Sequence, residues 1–235
     1  MSDTNLKQAD TEVNKLYSTM RNRYGDINPK ANGYRLKKYF IKEQEMILSE
    51  ISDENKIIVD LACGSGLMLN PLISTEQLII GIDFNETACL DAKRNKLNII
   101  RGDVFSIPIA DSSVDKIINC QFLNQQSNDK AEHLLDEIYR ILKPGGRLIM
   151  IWRNDRALIH KLAIFIYRYI DKFTGRPEFP YYDNYVGDLA HYSTKIGFSI
   201  VSQFLTFPLF NWNFHNLDSI GAKALGASCF LVVEK

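Results

Sequence analysis

The sequence predicts an α/β fold in which a largely parallel sheet is covered by helices on both faces. Three observations carry that expectation. From residue 57 onward, short apolar runs alternate with helical patterns. Several of those runs are apolar throughout rather than at every second position, as strands buried on both faces are. Glycine-rich turns join strand to helix, beginning at Gly64 and Gly66.

The elements follow in order. The first 50 residues read as amphipathic helices broken over 25–33, a helical cap on one domain that covers 1–235. Strands are expected at 57–61, 78–82, 98–100, 114–120 and 147–152, with helices at 67–73, 86–95 and 130–142 between them. The last of these helices places Leu134, Leu135, Ile138, Ile141 and Leu142 on one face. It stops at Lys143-Pro144-Gly145-Gly146, where proline and paired glycine turn the chain into the next strand.

After Trp152 the alternation breaks. Residues 155–174 read as a helix with a broad apolar face that includes Leu158, Leu162, Phe165, Tyr169 and Phe173, with Lys161, Arg168, Asp171 and Lys172 opposite. An aromatic loop with Phe179, Tyr181 and Tyr182 follows, then a helix over 184–196 and a strand over 198–206. A turn-rich segment with Pro208, Trp212 and His215 precedes a final strand at 228–234. Residues 155–184 are thus expected to form an inserted lid.

Composition narrows the class. Lys+Arg and Asp+Glu are equal at 28 each, which leaves no global basic field for a nucleic-acid backbone. Locally, Arg21 with Arg23, and Arg35 with Lys37 and Lys38, read as solvated helix faces. Cys63, Cys89, Cys120 and Cys229 form no C-x-x-C pair and lie near no histidine at ligand spacing, so no metal site or disulfide framework is expected. The polar N-terminus is unlike a signal peptide, and no uncharged apolar stretch is long enough to span a bilayer. A soluble, cytoplasmic protein is expected.

The chemistry concentrates at the strand ends. Residues 57–61 run into Ala62-Cys63-Gly64-Ser65-Gly66, a turn that brings backbone close to a ligand at the carboxyl end of the sheet. The next strand ends in Asp83, 17 positions after Gly66, where a carboxylate can accept the hydroxyls of a ribose. A third strand leads into Gly102-Asp103-Val104, with an acid placed for an amino group and an apolar side chain for a ring. A single acid of this kind is usually a solvated loop residue. Asp60, Asp83 and Asp103 in register at successive strands are not.

These motifs, together with Ile107-Pro108, Ser113-Val114-Asp115 and Leu142-Lys143-Pro144-Gly145-Gly146, resemble those of class I S-adenosylmethionine-dependent methyltransferases. Over roughly residues 57–152 they are most similar to the branch that includes the ubiquinone/menaquinone-biosynthesis enzymes. The resemblance implies a Rossmann-like seven-stranded sheet in the order 3-2-1-4-5-7-6 with strand 7 antiparallel. It implies S-adenosyl-L-methionine as cofactor and S-adenosyl-L-homocysteine as product. Asp60, Ala62, Cys63, Gly64, Ser65 and Gly66 would wrap the methionine part. Asp83 would hold the ribose with Phe84 beside it, and Asp103 with Val104 the adenine. Asn119, Cys120 and Gln121 would face the methyl-transfer site. Cys63, inside the turn, is expected to be accessible until cofactor shields it. The chain departs from the pattern in two places: Ala62 replaces the first glycine, and Asn124-Gln125-Gln126 stands where the branch often has histidine.

A sulfonium methyl is already electrophilic, so the protein's main task is to align the acceptor and exclude water. Where the acceptor must lose a proton, Tyr17, Tyr24, His133, His160 and His191 are the residues to consider. A helix-surface or packing role is the alternative for His133 and His191. Phe179, Tyr181, Tyr182 and Tyr185 would line a pocket for a small-molecule acceptor, aromatic or prenylated, with plain packing of the lid as the competing reading. Lys161, Arg168 and Lys172 beside an apolar face also allow peripheral membrane contact. Two rival functions stay open: an NAD(P)-dependent oxidoreductase, although Leu69 occupies the position of its third glycine, and a non-catalytic S-adenosylmethionine-binding protein.

Overall fold

The computed structural model describes residues 15, 18–25, 28–29, 34, 36–52, 54–123, 126–154, 156–174, 186–207 and 212–235. Residues 18–24 are helical. The elements that follow are α1 (Lys37–Leu48), β1 (Ile57–Leu61), β2 (Leu78–Asp83), α2 (Glu86–Arg94), β3 (Asn98–Arg101) and β4 (Val114–Cys120). Then come α3 (Asn128–Ile141), β5 (Leu142–Arg153), α4 (Leu158–Thr174), α5 (Val186–Ile196), β6 (Ser199–Phe207), β7 (Trp212–Phe214), α6 (Ile220–Leu225) and β8 (Ser228–Glu234).

The strands form one sheet in the order β3-β2-β1-β4-β5-β8-β6-β7. Strands β1 to β5 pair in parallel, while β8 runs antiparallel to both β5 and β6. This is the expected arrangement, with β8 in the place of the antiparallel seventh strand. The sheet has one strand more than expected. Residues 212–214 pair with 205–207 at the edge, where a turn-rich segment was anticipated. Trp212 and Phe214 are the strand-favouring residues that the turn residues around them obscured. Pro208 lies outside the described residues.

The apolar runs divide between two faces because successive strand residues point to opposite sides. Leu148, Met150 and Trp152 pack with Leu134, Leu135, Ile138 and Ile141 of α3. Ile149 and Ile151 pack with Phe40 and Ile47 of α1 and Ala92 of α2. Both faces are therefore covered, which is why the strands read as continuous apolar runs.

Two local expectations are corrected. No α-helix forms over 67–73; turns and a single 3₁₀ turn (Asn70–Leu72) occupy the stretch. Pro71 sits inside it, and a proline lacks the N–H that a continuing helix needs. Lys143 to Gly146 do not separate α3 from β5 but bulge from the strand itself. The ladder pairs Val114 with Leu142 and then Lys116 with Arg147, so the extra residues loop outward. Asp115 holds this corner. One of its carboxylate oxygens accepts from Ile57 N at 2.8 Å and Lys56 N at 3.0 Å, and the other from Lys143 Nζ at 2.6 Å. Burial pushes the Asp115 carboxyl upward, but Lys143 and the two backbone donors outweigh it and hold it below the usual range.

Among the described residues, no helix is long and apolar enough to cross a membrane. The apolar face of α4 does not pack inward. Leu158, Leu162, Phe165, Tyr169 and Phe173 are exposed, Phe165 at 76% and Phe173 at 72%.

Candidate functional site

At the carboxyl end of β1 the chain reverses over Ala62 to Gly66. Cys63 N donates to Ile82 O at 3.2 Å, and Gly66 N to Cys63 O at 3.0 Å. The turn needs left-handed backbone at three of its residues: Ala62 (φ 57°), Gly64 (φ 57°) and Gly66 (φ 75°). A Cβ on Gly66 would also lie 2.7 Å from Leu97 Cδ2, which reserves that position for glycine. Ala62 adopts the same region with a side chain, so the small departure from the usual pattern is a strained one.

Cys63 corrects an expectation. Its side chain is buried behind the turn instead of facing a ligand. A Cβ built on Gly81 would come within 2.6 Å of its sulfur, so Gly81 is where β2 lets the thiol in. Burial, with Asp60 and Asp83 nearby, pushes this thiol well above its ordinary range.

The acids behave differently from one another. Asp83 ends β2 and is buried; its Oδ2 accepts from Gly64 N at 2.8 Å and its Oδ1 from Asn85 N at 2.9 Å. It thus ties the glycine turn to the start of α2. Burial raises its carboxyl, while the Asn85 and Gly64 donors and the Arg21 charge pull the other way. Asp60 is 1% exposed, and its Oδ2 is buried with no hydrogen-bond partner. Burial, and secondarily the charge of Asp83, pushes this carboxyl up to about 8. Ser65 Oγ, also buried, has no partner either. Asp103 is exposed and accepts from Phe105 N at 3.0 Å, while Val104 beside it is buried. Phe84 is 43% exposed at the tip of β2.

The end of β4 meets the N-terminal cap. Asn119 is buried, donates to Leu61 O at 3.3 Å and accepts from Leu123 N at 3.0 Å, which links the ends of β1 and β4. Gln121 takes a left-handed conformation (φ 60°), and its side chain joins Arg153 N at 3.1 Å to Glu43 Oε2 at 3.2 Å. Glu43, on α1, is 2% exposed. Besides Gln121 it accepts from Tyr34 Oη and, at 2.6 Å, from Ser228 Oγ at the start of β8. Tyr34 Oη also lies 3.5 Å from Cys120 Sγ. Burial raises the Glu43 carboxyl against the pull of those donors. This cluster was not anticipated. The available signal was an acid at the buried register of α1, spaced three and four residues from Phe40 and Ile47.

Arg21 was expected on a solvated face and is instead 4% exposed, with Nε 3.4 Å from Asp91 Oδ2. Among the described residues, the histidines considered from sequence as acid–base groups lie on separate elements. His133 is exposed on α3 with Nε2 3.1 Å from Phe105 O, and His191 is exposed on α5 beside Tyr192. His160 Nδ1 lies 2.9 Å from Asn154 O. Tyr17, Phe179, Tyr181, Tyr182 and Tyr185 lie outside the described residues, as do Asn124 and Gln125.

Residues 59–150 match the model of a methyltransferase domain. A Lactobacillus johnsonii demethylmenaquinone methyltransferase is 29% identical over 164 residues, 63% of this chain and 63% of that protein. An uncharacterized methyltransferase-like protein of Schizosaccharomyces pombe is 33% identical over 124 residues, 50% of this chain and 47% of its own length. This chain spans about half the length of the curated relatives it matches. In fold it resembles a Pyrococcus horikoshii protein of known structure at TM-score 0.64 and 18% identity, covering 94% of this chain and 98% of that one. An Archaeoglobus fulgidus S-adenosylmethionine-dependent methyltransferase gives TM-score 0.63 at 16% identity, over 84% of this chain and 94% of its own.

Proposed function

We propose that this chain is a class I S-adenosylmethionine-dependent methyltransferase, as its methyltransferase-domain match over residues 59–150 supports, and that it transfers a methyl group to an apolar small-molecule acceptor. The observation that carries the reading is the orphaned Asp60 carboxylate oxygen, buried at the end of β1 beside Asp83. A buried carboxylate without a donor is costly. The ammonium of a methionine group is the kind of donor that would satisfy it, and the unpartnered Ser65 hydroxyl adds a second polar contact at the same turn. The residues present therefore fit the cofactor.

In this reading Asp60 and the turn over Ala62 to Gly66 hold the amino-acid end. The lone pairs of Asp83 left after Gly64 and Asn85 have bonded receive the ribose hydroxyls. Val104 and Phe84 provide apolar contact for the base, and Asp103 the acceptor for its amino group. Cys63 supports the turn from behind rather than touching the ligand. Bound S-adenosylmethionine supplies a methyl group on a positively charged sulfur. Asn119, Cys120 and Gln121 form the wall at which the acceptor meets it, and α1 excludes water through the bonds of Glu43 and Tyr34.

An acceptor with an aromatic ring or a prenyl chain suits the exposed apolar face of α4, within the segment 155–184 that we assign as a substrate lid. Relatives named demethylmenaquinone methyltransferases support the same chemical class. Lys161 and Lys172, exposed on α4, support contact with a lipid surface from which such an acceptor would enter. The test is incubation of the protein and methyl-labelled S-adenosylmethionine with a bacterial lipid extract and, separately, with water-soluble metabolites. Label passing into the lipid fraction is the expected result. Label in the aqueous metabolites would overturn the acceptor class. Tight binding of NAD without binding of S-adenosylhomocysteine would overturn the whole reading.

A further inference from the structure

An aromatic acceptor that bears a hydroxyl carries a proton that must leave as the methyl group arrives. At the end of β4 a phenol and a buried acid stand ready for it. Tyr34 Oη lies 3.5 Å from Cys120 Sγ and donates to Glu43 Oε2. The Tyr34 ring meets Phe40 edge-on with centroids 5.2 Å apart, and its backbone N donates to Pro29 O at 3.1 Å, so the phenol is held from both ends. Tyr34 is half-buried whereas Glu43 is sealed at 2% exposure, which makes the phenol the outward member of the pair. Asn119 links this end of β4 to the end of β1, and the charge of Asp60 is felt at Cys120.

The bonds at Glu43 also say where the protons are. Besides the Tyr34 hydroxyl, it receives Gln121 Nε2 at 3.2 Å and Ser228 Oγ at 2.6 Å. A carboxylate accepts all three donors, whereas a carboxylic acid needs one of them to become an acceptor. The charged and titratable groups around it agree: Arg153 of β5 favours the ionised acid, and the Cys120 thiol of β4 and the Tyr34 phenol are both pushed up by burial and stay protonated. Burial also makes Glu43 a stronger base than a surface carboxylate.

We infer that Tyr34 is a catalytic residue of this site and that Glu43 is the positioning residue behind it, together forming a path for the acceptor's proton. The acceptor hydroxyl gives its proton to Tyr34 Oη as the Tyr34 proton passes to Glu43 Oε2. The electron pair left on the acceptor forms the bond to the methyl carbon and displaces the sulfur, which keeps the electrons of its old bond. Glu43 ends protonated and returns the proton to solvent when the product leaves. The inference rests on the methyltransferase reading above and adds to it an acceptor class, a hydroxylated aromatic ring.

Two readouts test it on wild type, Tyr34→Phe, Glu43→Gln and Glu43→Asp. The first needs no turnover: 4-nitrophenol, whose absorbance separates phenol from phenolate, is titrated into each protein saturated with S-adenosylhomocysteine. Wild type should bind it as the phenolate, and Tyr34→Phe and Glu43→Gln as the phenol. Phenol in all the proteins, or no binding to wild type, would overturn the inference. The second is the rate of label transfer into the lipid extract against pH. Tyr34→Phe and Glu43→Gln should lower it by about 10²- to 10⁴-fold while S-adenosylhomocysteine affinity, which also certifies folding, stays within about threefold. Glu43→Asp should keep part of the rate. The wild-type rate should fall as acid protonates Glu43, and Glu43→Gln should lack that fall. An equal loss of rate and of affinity, or the wild-type pH profile in Glu43→Gln, would make the pair structural and overturn the inference. Wild type that ionises the nitrophenol but labels no lipid would support the pair and overturn the lipid acceptor, and wild type that does not bind S-adenosylhomocysteine would overturn the cofactor reading with it.

Discussion

The two halves of the carboxyl edge of the sheet are built in different ways. In the half formed by β1, β2 and β3, the side chains that matter are close in sequence to the turns they serve. Asp83 reaches back only to Gly64, and Asp103 only to Phe105. In the half formed by β4, β5 and β8, the cluster at Glu43 gathers Tyr34, Gln121 and Ser228, with Ser228 lying 185 residues away in the chain. A cofactor-binding edge can be carried by local strand-turn-helix units. In the proposed reading the other edge faces the acceptor, and Glu43 of α1 closes it through bonds to Tyr34, Gln121 and Ser228. The difference predicts that damage to one half reads out as lost ligand affinity, and damage to the other as lost stability.

The largest expected effect is in the second half. Glu43→Ala leaves the Tyr34, Gln121 and Ser228 donors without their buried acceptor and should lower unfolding free energy by about 3 kcal/mol. Urea unfolding followed by circular dichroism measures it. A loss within the ordinary surface range would mean that the cap is held by something other than this cluster.

In the first half, pH is the sharper probe. Folded Asp60 keeps its proton up to about pH 8, whereas the ordinary aspartate value is 3.8. Between those values the folded state binds more proton than the unfolded chain. The contribution of Asp60 to stability is therefore full below the lower value and declines as pH rises toward 8. Binding of an ammonium beside Asp60 favours the ionised form and releases that proton. Affinity for S-adenosylhomocysteine should then rise between pH 6 and 8, by at most about tenfold per unit. Asp60→Asn should flatten both trends, and a wild-type affinity independent of pH would remove Asp60 from the ammonium site.

The smallest effect concerns the strained residue of the turn. Ala62→Gly relieves a left-handed alanine, worth roughly 1–2 kcal/mol, against the roughly 0.5–1 kcal/mol that glycine costs in backbone freedom. A net gain of about 0.5 kcal/mol, seen as a small rise in Tm by calorimetry, is expected. A lower Tm would show that the Ala62 methyl packs better than its backbone suffers.

The same contrast explains what could be read from the chain alone. β1, β4 and β8 are legible to the residue because each carries a short apolar run bounded by polar or turn residues, as strands covered on both faces do. The pairing of β8 between β5 and β6 follows from the resemblance to class I enzymes, not from local pattern. The helix expected over 67–73 fails at Pro71, and β7 was hidden by its turn residues. Cys63 was misplaced because a turn residue's direction depends on what lies behind it, here the space that Gly81 leaves. Glu43 and Arg21 escaped notice for a related reason. A buried charge is defined by its partners, and theirs come from distant strands and helices.

The central claim, that cofactor affinity resides in the β1–β3 half and closure in the other, is tested most directly by titrating S-adenosylhomocysteine into wild-type, Asp83→Ala and Glu43→Gln proteins. Each titration is made at a temperature where all three are folded. Asp83→Ala should lose about 1–3 kcal/mol of binding free energy, since it removes charged acceptors for the ribose hydroxyls. Glu43→Gln should stay within about threefold of wild type, or 0.7 kcal/mol. The reverse order, with affinity lost at Glu43 and retained at Asp83, would contradict the account.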